Sequence, residues 1–235
     1  MAQRSSKKRD GKPDGAPARG AAEETKRRLL DAALDAYGRY GFDGASTRDI
    51  AKRAGVNLAA IPYHFGGKEG LQVAVARHIV EEITSRLGAV VAEADRMLER
   101  GAVRPAQARA MLHAVLDNGA VMLLGHPEAA RWAPFIIREQ MQPSPAFDAL
   151  YDGFMGRAHI VATRLFAITT GRDAADPETI TRTFALFGQL VIFRMGRAIV
   201  ERRLGWTGYG PGEIALVTAM LHDNLDAILD AEARA

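Results

Sequence analysis

The chain has 235 residues, 48% of them apolar and 25% charged, a balance that suits a globular chain with a sizeable core. It has no cysteine, which excludes disulfide staples and thiolate metal sites and fits a reducing, cytoplasmic setting. The net charge of +3 is uneven: residues 1–71 hold 14 Lys/Arg against 9 Asp/Glu, or +5, and the remainder holds 17 against 19, or −2, as expected for a polyanion-binding head on a regulatory body.

Residues 1–22 show no hydrophobic periodicity and are rich in Gly, Pro, Ala and charge, which predicts a disordered basic tail. Its run from Arg4 to Arg9 reads either as a solvated arm or as a contact to DNA phosphates. No apolar leader core follows Met1, since apolar clustering starts only at Leu29. A helix is expected over 24–40, where Leu30, Ala33, Leu34, Tyr37 and Tyr40 recur at spacings of three and four. Gly41 ends it and Phe42 folds back into the core. Lys26, Arg27 and Arg28 would lie in its first turns, where positive charge opposes the helix dipole. Phosphate contact or a solvated face accounts for them there.

Residues 46–65 read as two short helices around a glycine turn. Ser46 caps the first, with Asp49 in the position of a capping-box acid, and Ile50, Ala51 and Ala54 form its inner face. Gly55 takes a left-handed turn, Val56 points back into the core, and Asn57 caps the second helix, expected over 58–63. A tight turn of this kind lays the second helix in a DNA major groove. Pro62 removes the N–H that would bond to the carbonyl of Leu58. Gly66 and Gly67 break the chain, and Lys68 with the N–H groups of the next helix forms a phosphate anchor.

The stretch 25–71 resembles the DNA-binding domain of the TetR/AcrR family of bacterial transcriptional repressors. Phe42, Thr47 through Ala51, Ala54-Gly55-Val56, Tyr63-His64-Phe65, Lys68-Glu69 and Leu71 carry the match, in order and spacing. Val56 through Phe65 and the later Arg138-Glu139-Gln140 resemble the CecR-like branch of that family. Many members carry a phosphate-contacting tyrosine where this chain has Pro62, so no such contact is assigned there. The expected DNA-contact set is Thr47, Arg48, Asn57, Leu58, Ala59, Ala60, Tyr63, His64 and Lys68. Arg48 can reach guanine, Asn57 adenine if it is not occupied as a cap, and Leu58, Ala59 and Ala60 thymine methyls. By the family pattern Tyr63 faces the duplex, while His64 packs or meets phosphate.

The rest reads as all-α, with no alternating strand pattern. A helix over 68–99 places Leu71, Val75, Ile79, Ile83 and Leu87 on one stripe and runs from head to body as a lever. Helices are expected over 105–125, from Pro127 with an interruption or kink at Pro134, and over 146–170. The longest apolar run, Phe184–Phe193, is ten residues and includes Gln189, short of the about 20 that a membrane span needs. It lies in a helix expected over 177–204 that is apolar around its whole circumference and so must be buried on all sides. With a last helix over 212–231, this predicts a twofold dimer seam through Phe184, Phe187, Val191, Met195, Leu216, Met220 and Leu221. The TetR resemblance implies the same seam. The linker Gly205–Gly212 has no preceding strand and lacks nucleotide-loop spacing, so it reads as a turn with Trp206 and Tyr209 packing on the bundle.

An effector pocket is expected in the body, oriented by polar groups drawn from His113, Asn118, Arg138, Gln140, Arg157, His159, Gln189 and Arg194. Arg194, flanked by Phe193 and Met195, needs a partner: Glu139, a carbonyl, a carboxylate across the dimer, or an anionic ligand. His113 with Asp117 and His78 with Glu82 share helical faces, but two ligands do not make a metal site, and no metal or cofactor is expected. No G-x-S-x-G, H-E-x-x-H or Walker motif is present, so no enzyme is expected. The chain thus reads as TetR-like and all-α: tail 1–22, a three-helix helix-turn-helix domain 23–71, and a helical effector-binding and dimerisation domain 72–235. Its expected function is that of a homodimeric repressor of a palindromic operator, released by a small-molecule effector and with no membrane partner. The alternatives are a helix-turn-helix protein without effector and an all-α interaction module.

Overall fold

The computed structural model describes residues 16–232, with side chains from Gly20 onward. The run Arg4–Arg9 lies outside the described residues, whereas Ala16 to Ala22, expected in the tail, belong to the first helix. Among the described residues the elements are all helical: α1 (Ala16–Gly44), α2 (Thr47–Ala54), α3 (Ala60–Phe65), α4 (Lys68–Glu99), α5 (Pro105–Ala120), α6 (Pro127–Met141), α7 (Pro145–Leu150), α8 (Gly156–Thr170), α9 (Pro177–Met195), α10 (Arg197–Leu204) and α11 (Pro211–Glu232). Single π-helical turns, Val121–Gly125 and Tyr151–Met155, extend α5 and join α7 to α8, where longer α-helices were expected.

The early start of α1 removes the dipole conflict, because Lys26, Arg27 and Arg28 no longer stand in a first turn. Lys26 pairs with Glu23 at 2.8 Å and Arg27 with Glu24 at 2.7 Å, while Arg28 donates to the carbonyl of Gly55 at 3.3 Å. Helical geometry breaks at Gly41, whose φ of 71° is open to glycine, and Phe42 turns in to stack on Tyr37 at 6.1 Å. Tyr40, expected on the inner face, is instead exposed at that break.

One hydrophobic core runs across residue 71 and joins the head to the body. It contains Leu29, Leu34 and Tyr37 of α1, Ile50 and Ile61 of the helix-turn-helix, Leu71 to Ile83 of α4, Trp132 and Phe135 of α6, and Leu150 of α7. A second core gathers the far end of α4 with α5, α8, α9 and α11 around Leu112, Leu165, Phe166, Leu190 and Leu221. Helix α4 threads both cores. Helix α6 runs unbroken through Pro134, whose ring packs where a Cβ on Gly38 of α1 would come within 3.4 Å of it.

The helix expected over 177–204 is two helices, bent by 71° at Gly196. The bend frees the carbonyl of Phe193, and the Tyr209 hydroxyl donates to it at 2.8 Å. A distant tyrosine therefore satisfies the carbonyl that a glycine break exposes. No single described helix is long and apolar enough to cross a membrane.

Candidate nucleic-acid interface and effector cavity

The helix-turn-helix is held by its caps. Ser46 Oγ accepts from the Asp49 N–H at 3.4 Å to start α2, and Gly55 ends it with φ 64°. The side-chain bond from Asp49 back to Ser46 that would complete a capping box is not among the described contacts. A Cβ on Gly55 would meet only the tip of the flexible Arg28 side chain, which can swing aside, so it is the left-handed backbone that favours glycine here. Asn57 Oδ1 accepts from the Ala59 N–H at 2.9 Å. Asn57 therefore holds the turn before α3, a helix that starts at Ala60 rather than at 58 and has no side-chain cap at Ala59, and only the Asn57 amide nitrogen is left to meet a base. The carbonyl of Leu58 is taken by the Ile61 N–H at 3.2 Å, so the N–H missing at Pro62 leaves no acceptor waiting.

These turns present Arg48, Asn57, Leu58, Ala59 and Tyr63 to solvent on one head, with Tyr63 83% exposed. Arg48 makes no ion pair or hydrogen bond among the described residues. Thr47 is half-buried at the first position of α2, and Ala60 packs against the head core, which turns it away from base reading. His64 is half-buried, edge-on to Tyr63 at 4.8 Å and to Phe65 at 6.2 Å. Lys68 opens α4 with its ammonium 4.4 Å from the Phe42 ring centre, a cation–π contact that holds the anchor beside the head. A groove formed by Tyr40, Ser46, Asp49, Lys52 and Arg53 adjoins this surface. Tyr40, Lys52 and Arg53 stood outside the expected set; the signal for the two cations was their place in the exposed last turn of α2.

The predicted effector residues separate in space. Gln140 and Arg194 meet in one cavity of about 390 Å³, walled by Ile83, Met122, Ile136, Phe154 and Val191. The others are engaged elsewhere. His113 pairs with Asp226 at 2.8 Å, Asn118 donates to its own helix at Ala114, Gln189 accepts from Asn224 at 2.8 Å, and Arg157 pairs with Asp95. Arg138 faces the head, donating to the carbonyls of Gly38 at 3.1 Å and Arg39 at 3.0 Å, and so closes the C-terminal end of α1. His159 stacks on Phe184 at 4.1 Å with Nδ1 unpartnered, and burial pushes its pKa below the ordinary 6.5.

Glu139, offered as a partner for Arg194, points the other way. It accepts from Gln72 at 2.6 Å and Ser144 at 2.7 Å beside a second cavity, of about 340 Å³, between head and body. The other polar pairs on α5 and α11 also cross helices: Asp117 lies 2.7 Å from His222, not bound to His113 on its own helix.

The predicted dimer residues divide as well. Phe184, Val191, Met195 and Leu216 are exposed, Leu216 by 61%, and Ile192, Ile199 and Leu204 extend the same apolar surface over α9 and α10. Phe187 and Met220 are half-buried. Leu221, only 2% exposed, lies in the second core, because it continues the Val217, Leu225 and Leu229 face of α11, and this removes it from the exposed set.

A capped helix-turn-helix with an exposed polar and apolar tip, fused to a helical body with an apolar cleft, defines a DNA-binding regulator. The sequence agrees at both ends. Residues 29–75 match the model of the bacterial regulatory proteins of the tetR family, and residues 108–232 match the C-terminal domain of the HTH-type transcriptional dual regulator CecR. The chain is 34% identical to the CecR regulator of Shigella flexneri, over 88% of its own length and 92% of that protein's. Against the regulatory protein RaaS of Mycobacterium tuberculosis the identity is 43%, but over only 29% of this chain and 32% of that one. Among solved structures, FadR of Bacillus subtilis, crystallised with stearoyl-CoA, superposes with a TM-score of 0.59 at 14% identity, covering 85% of this chain and 96% of that one. A TetR-like regulator from Rhodococcus sp. RHA1 gives 0.56 at 19%, covering 88% and 96%. The chain belongs to the TetR family of DNA-binding transcriptional regulators, in its CecR-like branch. Its relatives are regulators, not enzymes.

Proposed function

We propose that this protein is a cytoplasmic homodimeric repressor that holds a palindromic operator and lets go when a small molecule fills the cavity beside Arg194. The observation that carries the reading is the position of α6. Ala133, Ile136, Ile137 and Gln140 on this helix wall the cavity, while Arg131 and Arg138 on it hold α1 of the head, Arg131 through Asp35 at 3.1 Å and Arg138 through the Gly38 and Arg39 carbonyls. An occupant that pushes α6 moves the head with it. Helix α4 offers a second path, since Lys68 anchors its start and Ile83, about 22 Å along the axis, lines the same cavity.

Two copies would pair through the exposed apolar faces of α9, α10 and α11, which find no cover within one protomer. Twofold pairing places two heads at the spacing of an inverted repeat. On each head Arg48 and the Asn57 amide read bases, Leu58 and Ala59 meet thymine methyls, and Tyr63, Thr47 and Lys68 position the phosphates. FadR's complex with stearoyl-CoA supports a ligand that carries a long apolar chain in a body of this shape.

The test is electrophoretic mobility with a duplex from upstream of the protein's own gene. The wild type should retard it at nanomolar to micromolar concentration. Ala133→Trp, which fills the cavity and mimics an occupant, should weaken retardation by about tenfold or more, equivalent to about 1.4 kcal/mol of coupling. Equal affinity of the two proteins would contradict effector coupling, and no retardation at all would contradict the regulator reading of the head.

A further inference from the structure

We infer that the cavity beside Arg194 takes a singly charged organic anion, an amphiphile whose acidic head pairs with the guanidinium and whose hydrocarbon body fills the apolar space. This rests on the proposed reading of the cavity as the effector site and adds to it the chemical class of the occupant.

The observation is a cation with no counter-charge. Arg194 sits near the end of α9, is only 8% exposed, and its Nε has neither solvent nor acceptor. No hydrogen bond or ion pair to it exists among the described residues. Burial, and then the like charge of Arg197, disfavour its protonated form, yet a guanidinium does not give up its proton in a protein. The fold therefore holds a buried charge that it does not neutralise. Such a charge is costly unless something pairs with it.

No acid on the cavity wall can do so. The lining is Ile, Met, Leu, Ala, Phe and Val, with Gln140 and Arg194 as its only hydrogen-bonding side chains. The nearest acid along α6, Glu139, is spent on Gln72 and Ser144 on the opposite side of that helix. Tyr209 is a neutral phenol, its pKa raised by burial, and its hydroxyl is committed to the Phe193 carbonyl. The counter-ion is therefore supplied by the occupant. One cation on the wall calls for one negative charge, and the planar fork of arginine suits a carboxylate, sulfonate or phosphodiester head. The remaining walls are apolar and line an open cleft of about 390 Å³, within the range of small-molecule sites.

The test is a fluorescence titration of the full chain with two dyes that share a ring framework, 1-anilinonaphthalene-8-sulfonate and the uncharged N-phenyl-1-naphthylamine. The sulfonate should bind at least about tenfold more tightly than the amine. Arg194→Met should abolish that preference by weakening the sulfonate alone, and Arg194→Lys should retain part of it. Because Arg194→Met removes an unpaired charge, it should melt no lower than the wild type, which separates loss of binding from loss of fold. Ala133→Trp should weaken both dyes. If Ala133→Trp excludes both dyes but Arg194→Met leaves the sulfonate unchanged, the anionic class is overturned and the cavity reading stands. If neither dye responds to Ala133→Trp, the cavity reading itself fails. If Arg194→Met leaves sulfonate binding intact and instead raises the dimer dissociation constant, the counter-ion is a carboxylate of the second copy, and the inference is overturned.

Discussion

Arg48 is an exposed side chain with nothing else to do on the surface of the head, and that isolation makes it the sharpest probe of base reading. Arg48→Ala is expected to lower operator affinity by about 1–3 kcal/mol and to relax one base position, measured by titration at fixed salt. A uniform loss across all sequences would make it a phosphate contact instead. Gly55 is constrained by its left-handed backbone, while the tip of the flexible Arg28 side chain beside it can move aside. Gly55→Ala should cost about 1 kcal/mol or more, seen as a melting temperature lower by a few degrees. His159 carries a pH dependence whose sign follows from its burial. The folded chain holds the neutral ring, and the unfolded chain takes up a proton near 6.5, so stability is full above that pH and declines as the pH falls through it. Thermal melts should show the wild type losing more stability than His159→Gln between about pH 7.5 and about pH 5; equal losses would contradict this.

At this scale the sequence showed what a residue could do but not which neighbour would claim it. Ser46 as a cap and Gly55 as a turn were legible because each acts within three residues of itself, whereas Asn57, expected to cap α3, bonds within the turn before it. Arg138 and Glu139 were not, since their partners Gly38 and Gln72 lie 100 and 67 residues away. Lys26 to Arg28 were misplaced for a related reason: an alanine- and glycine-rich opening has no apolar stripe to announce that the helix has already begun.

Among the elements, α4 was read within its bounds, because a regular apolar stripe on a long helix is the strongest pattern a sequence carries. The break between α9 and α10 was hidden. Apolar residues continue on both sides of Gly196, and the group that makes the bend affordable, Tyr209, arrives 16 residues after the carbonyl it satisfies. In α11 the inner and outer faces are both apolar, so composition could not say that Leu216 lies outside and Leu221 inside. The outer faces of α9 and α11 give a direct test. Phe184→Glu combined with Leu216→Glu should shift the protein to a single-chain species at micromolar concentration, read by sedimentation, without loss of helicity. A dimer of wild-type strength would mean that copies pair elsewhere. The matched inner change, Leu221→Glu, should instead unfold the body, because it buries an unpaired charge in the second core.

Over the whole molecule, the head, the cavity and the exposed seam are not independent parts. The first core passes without a gap from the helix-turn-helix into α4, α6 and α7, so the head shares its packing with the body. The cavity lies where α4, α6 and α9 meet, and the α9 residues Val191 and Met195 belong both to its wall and to the exposed apolar face. Under the proposed function, occupancy, head position and pairing of copies would therefore be linked through the same side chains. That linkage requires two chains on one operator. Sedimentation velocity of the full-length protein with a labelled duplex from upstream of its own gene tests this most directly. The account predicts a complex of two chains per duplex that breaks up as salt rises. A complex of one chain per duplex, or a duplex that sediments unaltered at low salt, would contradict it.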